Sequence, residues 1–148
     1  MGSMKGCQDL HYAEGRSYSS WGAYGQSKLA NILFTKELAD QLKGTQVSAV
    51  CLHPGVIKTN LARHMGEWVK GGVGGWLFEN LVTDKTIPQG ASTTLFGCLA
   101  PDLPAGAYLS HCAVAAPTAE GEDAKGEGRK KLWAATVAQW AAAEAAKS

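Results

Sequence analysis

Val47-Ser48-Ala49-Val50-Cys51-Leu52, closed by His53-Pro54-Gly55, is the stretch that decides the fold. It is a short, nearly continuous apolar run, and Pro54-Gly55 ends it as a turn. Such a run suits a strand buried on both faces of a parallel sheet. Upstream, Leu29, Ile32, Leu33, Leu38 and Leu42 recur at helical spacing, Ser19 or Ser20 offers a cap and Gly44 a stop. That pattern predicts one helix over residues 21–43. Helix, short loop, strand, then a loop at the strand's carboxyl end is α/β wiring, and ligands in such folds bind beyond those carboxyl ends.

Further along, residues 89–99 predict a helix ended by Pro101, and a short apolar strand is expected over 106–110. The link between the two strands contains helices, so they are expected to pair in parallel. Helical stretches are expected at about 61–70 and 75–83, among Trp68, Trp76, Phe78 and several glycines. Residues 1–17 and 117–128 read as loops. The Ala-rich stretch 129–146 reads as a helix with Trp133, Val137 and Trp140 on one face.

The predicted first helix carries Tyr24 and Lys28, in the run Tyr24-Gly25-Gln26-Ser27-Lys28. Four residues is just over one turn, so phenol and ammonium project from the same face. A free phenol, with a pKa of about 10, is a poor proton donor or base near neutrality. An ammonium one turn away favours the phenolate, which makes the phenol a better proton-transfer group.

The longer run Tyr24 to Asn31, with its leucine, alanine and asparagine, resembles the catalytic helix of the short-chain dehydrogenases/reductases. The likeness is to their retinol-dehydrogenase-like and WW-domain-oxidoreductase-like branch. His53-Pro54-Gly55-Val56-Ile57-Lys58-Thr59-Asn60 is similar to that family's segment after the sixth strand, which closes over the nicotinamide. Gln89-Gly90-Ala91-Ser92-Thr93-Thr94-Leu95, then Leu99-Ala100-Pro101, resembles its next helix. Gly106-Ala107-Tyr108 looks like its last strand and Lys131-Leu132-Trp133 its C-terminal helix.

The resemblance implies an α/β fold, namely the C-terminal portion of a Rossmann-type doubly wound parallel sheet. It implies an oxidoreductase using NADP or NAD on a carbonyl or alcohol, with Tyr24 and Lys28 as the acid/base pair. Lys28 would also hold the nicotinamide ribose. Pro54, Gly55, Val56, Ile57 and Thr59 would meet the carboxamide end, and the apolar segment 61–83 suggests a lipophilic substrate. In the family the catalytic helix commonly forms a dimer interface, which implies a homodimer here. The full-length form is expected to be compatible with membrane association.

Other family features do not carry over. The only glycine cluster, Gly71-Gly72-Val73-Gly74-Gly75, fits neither G-x-G-x-x-G nor a Walker pattern and follows no strand. The family's catalytic serine would fall ahead of Met1, with Ser3 the one candidate near it. Residues 1–148 thus read as the C-terminal part of a single dehydrogenase domain, lacking the N-terminal strands and Gly-rich loop. Within it, 1–17 is loop, 18–116 holds the catalytic helix, nicotinamide loop and substrate lid, and 129–146 is the C-terminal helix. The alternative is a truncated, inactive fragment that serves as an interaction or dimerisation piece, or has no function.

Composition narrows the classes further. The chain has 148 residues, one domain's length, with 45% hydrophobic and 18% charged content. A net charge of +1 gives no footprint for nucleic acid. Cys7, Cys51, Cys98 and Cys112 form no C-x-x-C pair, and His11, His53, His64 and His111 lack metal spacing. No metal is expected, and the cysteines point to the cytoplasm or another reducing compartment. No apolar run approaches the length of a membrane span.

Overall fold

The computed structural model describes residues 11–12, 15–57 and 85–147. In chain order the elements are α1 (Ser20–Gln41), β1 (Cys51–His53), α2 (Ile87–Leu99), β2 (Tyr108–Ser110), β3 (Ala113–Ala115), α3 (Ala119–Glu122) and α4 (Glu127–Ala145). The architecture is α/β, with one three-stranded sheet in the order β1-β2-β3. The expected helices at 61–70 and 75–83, with Trp68, Trp76 and Phe78, lie outside the described residues.

The chain divides into two compact units. The first contains the described residues up to Cys51, Pro104–Tyr108 and those from Ala116 on; the second contains those of Leu52–Leu103 and Leu109–Ala115.

In the first unit α1 begins where the Ser19 hydroxyl accepts the Gly22 N–H at 3.3 Å. The apolar period then buries Leu29 and Leu33 against Leu132 of α4, forming the core of this unit. Gly44, with φ +84, occupies the left-handed region just past the helix end, as a stop residue should. The helix over 21–43 is therefore observed with its ends at Ser20 and Gln41.

The strand expected at 47–52 is corrected. Only Cys51–His53 is extended and paired, Cys51 and Leu52 are half-buried, and Val47 is exposed. Burial on both faces is not observed: Cys51 and Leu52 are half-buried and His53 is exposed. Its pairing runs in parallel, as expected. The Gly106 N–H donates to the Ala49 carbonyl (2.8 Å) and the Cys51 N–H to the Ala107 carbonyl (3.0 Å), both chains advancing together.

Two further corrections concern elements the sequence reading left out. Strand β3 follows β2 through a two-residue turn, His111-Cys112, with φ 53 and 56. Two left-handed residues in a two-residue loop make a type I′ hairpin, so the sheet is mixed. Within 117–128, read as an exposed loop, Thr118 caps the single turn α3 by accepting the Gly121 N–H at 3.2 Å. The Asp123 carboxylate then accepts the Gly128 and Arg129 N–H groups, each at 3.0 Å, and starts α4.

Helix α4 lies along α1 through its first turns. Trp133 stacks on Phe34 with ring centroids 5.3 Å apart. Val137 and Trp140, expected on the same face as Trp133, are exposed at 53% and 71%. The contacts with α1 are spent on Arg129, Leu132 and Trp133, before the helix reaches the later pair.

In the second unit α2 opens on a reciprocal cap. The Thr86 hydroxyl accepts the Gln89 N–H (3.4 Å), while the Gln89 side chain accepts the Thr86 N–H (2.8 Å). Pro88 sits in the first turn, where its missing N–H costs nothing. The helix accordingly starts at Ile87, two residues before the expected 89.

Candidate functional site

The sequence-predicted residues fall in both units. Tyr24 and Lys28 are in the first. Gln26, Leu29, Leu33 and Glu37 line the buried side of α1, which leaves Tyr24 on its exposed side, with 49% exposure. The Lys28 ammonium lies 5.3 Å from the centre of the Tyr24 ring. Trp21 meets the same ring edge-on, with centroids 6.3 Å apart. Phenol and ammonium therefore share a face, as the four-residue spacing requires. Asn31 is exposed, and its carbonyl accepts the Thr35 hydroxyl at 2.9 Å.

The helix that presents this pair is anchored by charge as well as by leucines. Arg129 of α4 lies 2.9 Å from Asp40 (Nη2 to Oδ2) and 3.7 Å from Glu37 (Nε to Oε2). Glu37 is buried, and its other oxygen accepts the Gln41 amide at 2.8 Å. Lys43 hydrogen-bonds Asp40 at 2.6 Å and, with Arg129 adding to it, holds that carboxyl below its ordinary range.

In the second unit Pro54, Gly55, Val56 and Ile57 are all half-buried. Gly55 has φ +94, a conformation that L side chains rarely adopt, and its N–H donates to Nδ1 of His53 at 3.0 Å. The Val56 carbonyl accepts the Lys85 N–H at 3.3 Å, and Ile57 forms a parallel bridge with Lys85. Thr59 and Ser3 lie outside the described residues.

Sequence reasoning missed Lys85. The available signal was the Thr86-x-x-Gln89 cap that follows it, which fixes where α2 starts and so where Lys85 must stand. It also missed a thiol in the β2–β3 turn. Cys112 lies 3.4 Å from the Ser92 hydroxyl and 3.8 Å from that of Thr93, and these contacts lower its pKa below the ordinary thiol range. Burial pushes the Cys51 thiol the other way.

Among the described residues no group of three or more His, Cys, Asp or Glu is placed to hold a metal ion. No described helix is long and apolar enough to cross a membrane.

Comparison with known proteins gives a family, two relatives and a similar structure. The family model for short chain dehydrogenases matches residues 12–70. Retinol dehydrogenase 14 of Mus musculus is 39% identical over 103 residues, 66% of this chain and 29% of that protein. Retinol dehydrogenase 11 of Homo sapiens is 40% identical over 111 residues, 72% of this chain and 33% of that protein. The chain thus spans about a third of the length of the curated relatives it matches. A crystal structure of an uncharacterized protein from Mycobacterium Paratuberculosis superposes with a TM-score of 0.61. It is 30% identical, over 90% of this chain and 43% of that one.

Proposed function

The chain belongs to the short-chain dehydrogenase family, in its retinol-dehydrogenase-like branch, and from that premise we propose that it carries the proton-transfer centre of a nicotinamide-dependent oxidoreductase. The observation that carries the reading is the pairing of Tyr24 with Lys28 on the exposed side of α1. The substrate class is a lipophilic alcohol or carbonyl, a reading supported by the names of the relatives and by the apolar sequence of 61–83.

The residues present fit the nicotinamide half of NAD or NADP. The Lys28 ammonium offers three donors on a flexible stem, suited to ribose hydroxyls. The left-handed conformation at Gly55 turns the chain there, and Pro54, Val56 and Ile57 supply backbone groups for an amide. Thr59 is assigned the hydroxyl contact to the same amide. Within these 148 residues no G-x-G-x-x-G segment is present to take a pyrophosphate.

Bound nicotinamide supplies or accepts the hydride. The chain's own part is the proton. In the reducing direction the Tyr24 hydroxyl gives its proton to the substrate oxygen, and the phenolate charge that remains faces the Lys28 ammonium. In the oxidising direction that phenolate takes the alcohol proton. Lys28 therefore acts on both partners, as counter-charge to the phenol and as ribose donor.

A second reading is favoured by a separate observation. Tyr18 and Trp21, just before and in the first turn of α1, are 70% and 59% exposed, which suits a helix start that associates with a second copy or another chain. The cysteine usage is consistent with a reducing compartment.

The test is a chimera with a matching dinucleotide-binding half fused upstream. Tyr24→Phe removes one hydroxyl, so it should leave cofactor Kd nearly unchanged while abolishing turnover. Lys28→Ala should damage both quantities. A Tyr24→Phe chimera that keeps the parent kcat sinks the assignment.

A further inference from the structure

Building on the proposed role of Pro54–Ile57 at the nicotinamide, we propose that Lys85 is a positioning residue that sets the conformation of that segment. Four observations meet there. The Lys85 N–H donates to the Val56 carbonyl at 3.3 Å, and Ile57 forms an isolated parallel bridge with Lys85, so the two backbones are joined at this one point. The Lys85 stem lies across the α-carbon of Gly55. A β-carbon added at Gly55 would stand 2.5 Å from Lys85 Cδ and 2.8 Å from Cε, closer than real side chains ever approach. Gly90, buried in the first turn of α2, receives the Ile57 side chain, and a β-carbon there would overlap Ile57 Cδ1. The reciprocal Thr86–Gln89 cap holds α2's start, and with it Lys85, in place.

The arrangement explains two glycines by one contact pair. Gly55 is needed for its φ of +94, and the outer methylenes of Lys85 fill the space beside its α-carbon. Gly90 is needed because Ile57 sits where its side chain would be. The methylenes of Lys85 act as the cover, and they stop Gly55, the most permissive residue in the segment, from leaving its left-handed conformation. The positioning role thus belongs to the stem, and a variant of similar length without charge should retain it.

The experiment uses the 148-residue chain, with amide exchange and methyl resonances read by NMR. In Lys85→Ala the Gly55 and Lys85 amides should exchange about tenfold faster or more, since local opening is no longer held shut. Lys85→Met should restore near-parent exchange at both amides. Gly90→Ala should move the Ile57 δ1 methyl resonance and loosen the same amides; it decides the matter if Lys85→Ala fails to fold. Unchanged exchange in a folded Lys85→Ala, or a Lys85→Met as fast as Lys85→Ala, overturns the proposal. Titration with nicotinamide mononucleotide at millimolar concentration tests the underlying reading separately. It should shift Gly55 and Ile57 in the parent chain, and several-fold less in Lys85→Ala. If exchange responds as expected while the mononucleotide leaves Gly55 and Ile57 unmoved, the lysine orders the backbone but the cofactor-positioning role is overturned.

Discussion

Arg129→Met should destabilise the chain through a carboxylate that it never touches at hydrogen-bonding distance. Glu37 is only 5% exposed, and its Oε2 has no hydrogen-bond partner; the guanidinium of Arg129, 3.7 Å away, supplies its counter-charge. Breaking a fully buried pair costs about 3–5 kcal/mol, because the abandoned charge keeps its desolvation penalty. The Arg129 side chain is 25% exposed, so solvent screens part of this and a loss of about 2–3 kcal/mol is expected. The Asp40 contact at 2.9 Å, on a side chain 30% exposed, adds less than about 1 kcal/mol. At about 2–4 °C per kcal/mol for a chain of this length, Tm should fall by about 5–10 °C. Adding Glu37→Leu to Arg129→Met removes the stranded charge and should recover most of the loss, since an apolar pair of similar volume is often no worse than the ions it replaces. Urea unfolding at unchanged m-value, followed by tryptophan fluorescence, measures all three chains. If Arg129→Met stays within about 0.5 kcal/mol of the parent, or the double variant is no better than the single, the buried-charge account of α1 docking is wrong.

Three other expectations follow from particular contacts. Isothermal calorimetry should show that the 148-residue chain binds NAD(H) or NADP(H) weakly or undetectably, because the remaining contacts reach only the nicotinamide half; micromolar affinity would contradict this. Asp40 has its carboxyl lowered chiefly by Lys43 and then by Arg129, so its stabilising contribution is full near neutrality and is lost as pH falls below about 4, through the lowered folded value. Lys43→Met should flatten that acid-side decline in Tm, and an unaltered acid limb would show the contact to be inert. Iodoacetamide should modify Cys112, exposed and lowered by Ser92 and Thr93, before Cys51, half-buried and raised by burial; Ser92→Ala should slow Cys112, and mass spectrometry finding Cys51 modified first would refute the assignment.

The parts of the fold that were legible in the sequence are those whose causes are local. Helix α1 has its cap, its apolar period and its glycine stop all within one stretch, and each is found in its expected role. The parallel pairing of β1 with β2 was legible because the length of the connection excludes a hairpin. Strand β3 was not, since its turn is His111-Cys112 in place of the Asn-Gly or Asp-Gly that marks a type I′ loop. How far α4 packs along α1 was not legible for a different reason. Helical periodicity places Trp133, Val137 and Trp140 on one side, but it does not say where along that side the neighbouring helix stops. For Lys85 the local cap marks only its place before α2; its bridge to Ile57 joins chain segments far apart in sequence and has no local signal.

On α1 the residues proposed to transfer the proton and the residues that hold the helix are separate. Gln26, Leu29, Leu33 and Glu37 are buried along one side, while Tyr24 and Lys28 stand on the opposite one. A four-residue spacing alone would permit a Tyr–Lys pair on the buried side, where the phenol would be packed away from any substrate. The structure excludes that arrangement for this pair. It follows that stability and proton transfer can be perturbed independently here. Arg129→Met should lower Tm without altering the Tyr24–Lys28 geometry, and Tyr24→Phe should alter proton transfer with little change in Tm. A variant pair that failed to separate in this way would mean that α1 is held in position by its exposed side, against the burial pattern from which the catalytic reading was built.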